Sequence, residues 1–192
     1  MRTSDERPIV VCCDDDADQL GASARILRSE PIHLVTTQTP ADALQLLGTT
    51  HVAVLVSDYE MPGMNGVELC AAARERSPET VRILLTGRGT FDTAVSGINE
   101  GEVFRFLSKP VTPDRLRRAV AAAVARHREI VATVASRDAL VRRERMLAEL
   151  EQDFPGITRR ALDADGRYTI EPEARTRALG LGFDALLTLE RR

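Results

Sequence analysis

The chain has 192 residues, 43% of them hydrophobic, enough for one well-buried domain of ordinary size with a smaller appendage and too few for two large domains. Its formal net charge of −3 excludes a surface that is basic throughout, as general nucleic-acid binding would need. Neither a signal-peptide pattern nor an apolar run of membrane-spanning length occurs, so a cytoplasmic chain without a membrane partner is expected.

In chain order, the apolar run Pro8-Ile9-Val10-Val11-Cys12-Cys13 reads as a strand that ends on Asp14-Asp15-Asp16. Cys12 and Cys13 are neighbours in it, so their side chains point to opposite faces and cannot share a metal. With Cys70 they make an odd count without ligand spacing, and all three are expected to be small buried hydrophobes. His33, His51 and His127 are scattered without carboxylate or cysteine companions and receive no ligand role. Asp16, with Gln19 three residues on, resembles a capping box for a helix over residues 17–29. Residues 32–37 form a second strand. Thr39-Pro40 then opens a helix as N-cap and first helical residue, which Gly48 is expected to stop.

Val52-Ala53-Val54-Leu55-Val56-Ser57 is an almost unbroken apolar run that ends on Asp58. Such a run reads as a strand buried on both faces, in the middle of a parallel sheet. Pro62-Gly63 and Asn65-Gly66 make the following loop, and a helix over 66–76 is closed by Pro78. The fourth strand, 81–86, ends on Thr86-Gly87, and a helix is expected over 90–99 with Gly101 as its end. The fifth strand, 103–107, ends on Ser108-Lys109-Pro110. Strand and helix alternate five times with short connections, the pattern of an α/β doubly wound parallel sheet.

From Thr112-Pro113 to Asp153 there is no glycine and no later proline, so one long helix is expected. Leu116, Val120, Ala123 and Val124 can close the sheet, and at ~1.5 Å per residue the remainder reaches past an ordinary domain. Val120, Val124, Val131 and Val134 keep roughly coiled-coil spacing, as do Leu140, Leu147, Leu150 and Phe154, but the two sets fall out of register near residues 136–138. This favours a coiled-coil homodimer over a helix folded back on its own domain. Arg142, Arg143 and Arg145 are interleaved with Glu144 and Glu149, a solvated face and not a DNA-reading one. In the tail, Asp165-Gly166 marks a hairpin turn, and residues 173–179 and 183–189 suit short helices.

Parallel strands would carry Asp14, Asp15, Asp58, the Thr86 hydroxyl and the Lys109 ammonium to one sheet edge, where ligands bind in open α/β folds. Lys109 is the only lysine among the 26 basic residues. An ammonium is a compact, movable charge, suited to sit beside an oxyanion. Carboxylates there could hold a hard cation such as Mg2+, and a carboxylate can also attack phosphorus to form an acyl phosphate.

These residues, together with Met61-Pro62-Gly63-Met64-Asn65-Gly66, Leu85-Thr86-Gly87, Phe106 and Lys109-Pro110, resemble the receiver domain of two-component response regulators over about residues 7–127. The resemblance implies a flavodoxin-like fold with strand order 2-1-3-4-5. It implies that Asp58 accepts phosphate from a sensor histidine kinase or phosphotransfer protein, and that Asp15, Asp58 and the Glu60 backbone carbonyl hold Mg2+, with Asp14 acting through water. By the same resemblance Thr86 and Lys109 would contact the phosphoryl group, Lys109-Pro110 would be a cis peptide, and Phe106 would be the switch aromatic, as against plain core packing. Phe106 lacks the hydroxyl of the tyrosine often found there.

The stretch from Asn99 to Leu107 is similar to receivers fused to HD-type phosphodiesterases, but no histidine-aspartate metal motif follows, so no such output domain is expected. The expected organisation is a receiver over 1–127, a helical extension over 128–153 and a small α+β tail over 154–192. Its output would be a homodimer or a contact with a downstream protein, and its only catalysis would be on its own phosphoryl group. Two other readings are a magnesium-dependent phosphatase with an aspartate nucleophile and a DNA-binding regulator with its reader in the tail. The first lacks the usual continuation after Asp14-Asp15-Asp16, and the second lacks a helix-turn-helix pattern.

Overall fold

The computed structural model describes residues 7–87, 103–156, 160–162 and 168–170. The helix expected over 90–99, the turn at Asp165-Gly166 and the tail helices expected over 173–179 and 183–189 lie outside the described residues. The chain divides into two compact units, residues 1–132 and 133–192.

In the first unit, strands β1 (Ile9–Cys13), β2 (His33–Thr37), β3 (Val52–Asp58), β4 (Val81–Thr86) and β5 (Arg105–Ser108) form one sheet in the order β2-β1-β3-β4-β5. Every pairing in it is parallel. Helices α1 (Ala17–Leu27), α2 (Pro40–Thr49) and α3 (Gly66–Arg76) connect the strands, and α4 (Pro113–Asp153) follows β5. All seven residues of β3 are buried, as its apolar run requires at the centre of a sheet covered on both faces.

Alternation along β1 divides the core. Val10 and Cys12 join Leu20, Leu27, Leu116 and Val120 on one face, while Val11 and Cys13 join Ala43, Leu47 and Leu69 on the other. The two adjacent cysteines thus serve different cores, and all three thiols are free and buried. Each fully buried Leu or Val side chain contributes roughly 1.5–3 kcal/mol relative to exposure.

Local signals set most helix starts. Asp16 accepts from the backbone N–H of Asp18 and Gln19, and Thr39 accepts from Asp42 with Pro40 just inside. Asn65 and Glu68 form a full capping box for α3, which satisfies two otherwise orphaned donors. Some boundaries differ from expectation. The first helix ends at Leu27, two residues early. Gly48 does not stop α2, because the Thr49 hydroxyl donates to the Gln45 carbonyl and the Thr50 N–H to that of Leu46, carrying the last turn past it. β5 runs over Arg105–Ser108 and not 103–107, since its ladder begins where Arg105 pairs with Ile83.

Leu116, Ala119, Val120, Ala123 and Val124 of α4 are buried, one stripe at helical spacing. Val120 and Val124 are therefore spent on the core and not on a seam. His127 Nδ1 lies 2.8 Å from the Glu79 carbonyl, and Ile130 still packs on the core. In the second unit, Leu140 and Leu147 are 59% and 42% exposed. Phe154 N–H donates to the Leu150 carbonyl, Gly156 N–H donates to Glu151 Oε1, and Gly156 has φ +92°. Strands β6 (Arg160–Leu162) and β7 (Tyr168–Ile170) pair antiparallel, the hairpin arms that Asp165-Gly166 suggested.

Candidate functional site

Asp14 and Asp58 follow residues that face each other, since Cys13 pairs with Ser57, so parallel register sets the two carboxylates at one height. Both are buried, at 4% and 6% exposure, whereas Asp15 is exposed. Lys109 arrives from β5 and is pinned by its own N–H to the Thr86 carbonyl at 2.7 Å. Its Nζ stands 2.6 Å from Asp58 Oδ1 and 3.0 Å from Asp14 Oδ2. The other oxygen of each carboxylate accepts a backbone N–H two residues on, Asp16 N to Asp14 Oδ1 at 3.0 Å and Glu60 N to Asp58 Oδ2 at 3.2 Å. Each buried acid is thus held by one fixed amide and one movable ammonium. The Lys109-Pro110 peptide is cis.

Burial pushes the Asp14 carboxyl above its ordinary value, against the opposing pull of the Asp16 N–H and of Lys109. Burial alone would lower Lys109, but its hydrogen bonds to Asp58 and then Asp14 outweigh this and raise it. Oxygen atoms of Asp14, Asp15 and Asp58 all lie within 4.8 Å of one another. Three carboxylates against one ammonium leave an excess of negative charge in an all-oxygen donor set, which suits a hard divalent cation.

Three further expected site residues lie on β4, on the loop after β3 and on β5. Thr86 is fully buried, directly after Leu85, which pairs with Asp58. Its hydroxyl donates to the Gly87 carbonyl at 3.2 Å. Glu60 lies exposed on the loop after β3, tied to Asp58 by its N–H. Phe106 pairs with Leu84 and packs, half-buried, in a small cluster with Val67, Cys70 and Tyr59.

Three supporting residues were not singled out from the sequence for these roles. The Ser57 hydroxyl donates to the Asp58 carbonyl at 2.8 Å. Arg82 lies in β4 yet is only 6% exposed, its Nη1 donating to the Thr80 carbonyl at 2.6 Å. Gly66 opens α3 so close to β3 that a Cβ there would collide with the Asp58 carbonyl and with Leu84 Cδ1. The signal for Gly66 was its place, a glycine directly after an N-cap asparagine and soon after the strand acid. Its closeness to Asp58 depends on how α3 packs and is invisible in one dimension.

A family model described as the response regulator receiver domain matches residues 10–121. The hydrogenase transcriptional regulatory protein HoxA of Cupriavidus necator is 35% identical over 121 residues, covering 63% of this chain and 25% of that protein. The chain spans about a quarter of the length of the curated relatives it matches. Among solved structures, the receiver domain of an HD domain-containing protein from Pseudomonas fluorescens Pf-5 is 32% identical with a TM-score of 0.63, covering 67% of this chain and 95% of that one. The beryllofluoride-activated NtrC4 receiver domain dimer is 31% identical with a TM-score of 0.58, covering 62% and 98%.

Proposed function

The chain belongs to the response-regulator receiver family, and from that premise we propose that it is a phosphoacceptor whose acceptor group is Asp58. The observation that supports this most directly is the position of Asp58: buried at a strand end, one oxygen on the Glu60 N–H and the other 2.6 Å from Lys109. A carboxylate held this way has a defined direction of attack. Its oxygen would form the O–P bond as the P–N bond to the phosphohistidine of a sensor histidine kinase or phosphotransfer protein breaks. The imidazole departs with the electron pair.

Lys109 is already between two carboxylates, so a short movement carries its charge to a phosphoryl oxygen, with the Thr86 hydroxyl contacting another. Asp15, Asp58 and the Glu60 carbonyl, with Asp14 through water, would hold Mg2+, whose charge would offset that of the phosphoryl oxygens. Phe106, packed beside Tyr59 and Leu84, would report the state of the site to the β5 surface. In this reading the protein is no general enzyme, since the group it receives and loses is its own. Its organisation is a receiver over 1–127, an extension over 128–153 and a tail over 154–192. The extension and tail form the output in the cytoplasm, through a homodimer or a downstream protein.

The test is incubation with acetyl phosphate and Mg2+, followed by intact-mass measurement. One added phosphoryl group is expected on the native chain and none on Asp58→Asn. Equal modification of the variant would overturn the assignment.

A further inference from the structure

On the side of the sheet opposite β5, the edge strand β2 lies at the bottom of a groove of about 860 Å3, lined by α1 (Ala17, Gly21, Ala24), β2 (Val35, Thr36) and α2 (Asp42), among others. The His33 N–H donates to the Pro8 carbonyl, and the Thr37 carbonyl accepts from the Asp14 N–H. Odd-numbered residues of β2 therefore face β1. Because backbone polar groups alternate sides along a strand, Leu34 and Thr36 turn their N–H and C=O to the open side. A row of unpaired groups of this kind is a template for another strand, and edges are commonly blunted by prolines, charged side chains or very short length. β2 has five residues, His33-Leu34-Val35-Thr36-Thr37, with no proline, lysine, arginine or acid among them.

We propose that this groove docks an extended segment of a partner protein, which adds to the sheet as a strand beside β2 and places a basic side chain against Asp42. Shape selects this occupant. The groove borders the C-terminal end of β2, Val35, Thr36 and Thr37. α1 and α2 both contribute walls, so the strand is recessed. Two recessed edges cannot meet, because the helices of a second copy would collide with these first, whereas a single extended chain fits between them.

The α1 wall carries the small residues Ala17, Gly21 and Ala24. A Cβ at Gly21 would meet only Arg25 Nη1, at 3.7 Å, the end of a flexible side chain that can give way to a larger residue. Among the described residues Asp42 is the only charged one lining the groove; its Oδ2 accepts from the Thr39 hydroxyl, and its negative charge favours a cationic partner side chain at that end. Recognition would combine backbone pairing with shallow apolar contacts, the mode of strand addition. The groove adjoins the phosphoacceptor cluster, since the Thr37 carbonyl accepts from the Asp14 N–H, but the proposal does not rest on the assignment of that cluster.

The probe is an acetylated, amidated six-residue peptide of alternating valine and threonine with a lysine at one end, added to the full chain. Saturation is expected to slow amide hydrogen exchange at Leu34 and Thr36 at least tenfold. Of two peptides N-methylated on alternate residues, one carrying the methyls toward β2 and one away, the first is expected to bind at least tenfold more weakly and the second unchanged. Gly21→Leu, which the flexible neighbour and helical position tolerate, should abolish binding without lowering the unfolding midpoint, and Asp42→Asn should remove the preference for lysine over norleucine. The proposal is overturned by unchanged exchange at millimolar peptide or by equal loss for both methylated forms. Protection that appears without peptide as protein concentration rises would also overturn it, because it would make a second copy the occupant.

Discussion

Lys109 holds two carboxylates at once, and that double contact explains why a chain otherwise committed to arginine has an amine here. A guanidinium would tend to lock onto one carboxylate as a planar fork, while an ammonium can bridge both and still move. Lys109→Ala should leave two buried acids uncompensated and lower unfolding stability by about 1–3 kcal/mol, less than the fully buried case because Lys109 is 24% exposed. Added Mg2+ should restore more stability to this variant than to the native chain, and urea midpoints with and without the cation check both effects. The folded-state value of Lys109 is raised above 10.5. Its stabilising contribution is thus fully present below about pH 10.5 and lost as the pH rises through the folded value. In the metal-free protein the native midpoint should therefore fall in that alkaline window, and that of Lys109→Ala should not show this loss. Burial also pushes Cys12 and Cys70 to about 12, so neither is a thiolate near neutrality. A disulfide reagent at pH 8 should label none of the three thiols quickly in the folded chain and all three once it is unfolded.

At the scale of elements, the contact that decides the site is the close approach of α3 to β3. Gly66 permits it, and the capping box of Asn65 and Glu68 fixes where α3 begins. Two substitutions separate these roles. Asn65→Ala removes a cap and should cost about 1 kcal/mol with little effect on phosphorylation per folded molecule. Gly66→Ala drives a Cβ into backbone, which cannot yield as a flexible side chain can, and should cost about 1–3 kcal/mol while displacing Asp58. The expected signature is a fall in the acetyl phosphate labelling rate of Gly66→Ala beyond what its folded fraction explains, read by mass measurement beside thermal unfolding.

Across the whole molecule, the first half of α4 belongs to the receiver core and the second half presents Leu140, Val141, Met146 and Leu147, each more than 40% exposed. If the second half is an output surface, light scattering should show a rise in oligomeric state on adding beryllofluoride and Mg2+ to the full chain. Leu140→Glu with Leu147→Glu should abolish that rise while leaving the midpoint within about 0.5 kcal/mol equivalent, as for exposed positions generally. An unchanged oligomeric state in the native chain would remove the dimer from the functional reading.

Much of the first unit was legible in one dimension because its signals are local. An almost unbroken apolar run ending on Asp58 reads as a covered central strand, and all seven residues of β3 are buried. Thr39-Pro40 and Asp16 state helix starts in their own side chains. Where a neighbour decides, local signals mislead: Arg82 would ordinarily be placed at the surface, and Gly48 would ordinarily end a helix, yet one is buried and the other lies within α2. By itself, then, the sequence determined the alternation of strands and helices and the polar residue at each strand end, since periodicity and turn chemistry act over a few residues. Only the tertiary structure decided that Asp14 and Lys109, 95 positions apart, meet at 3.0 Å around Asp58. The edge position of β2, which the family resemblance implied and no local signal states, is likewise set by packing across the whole sheet.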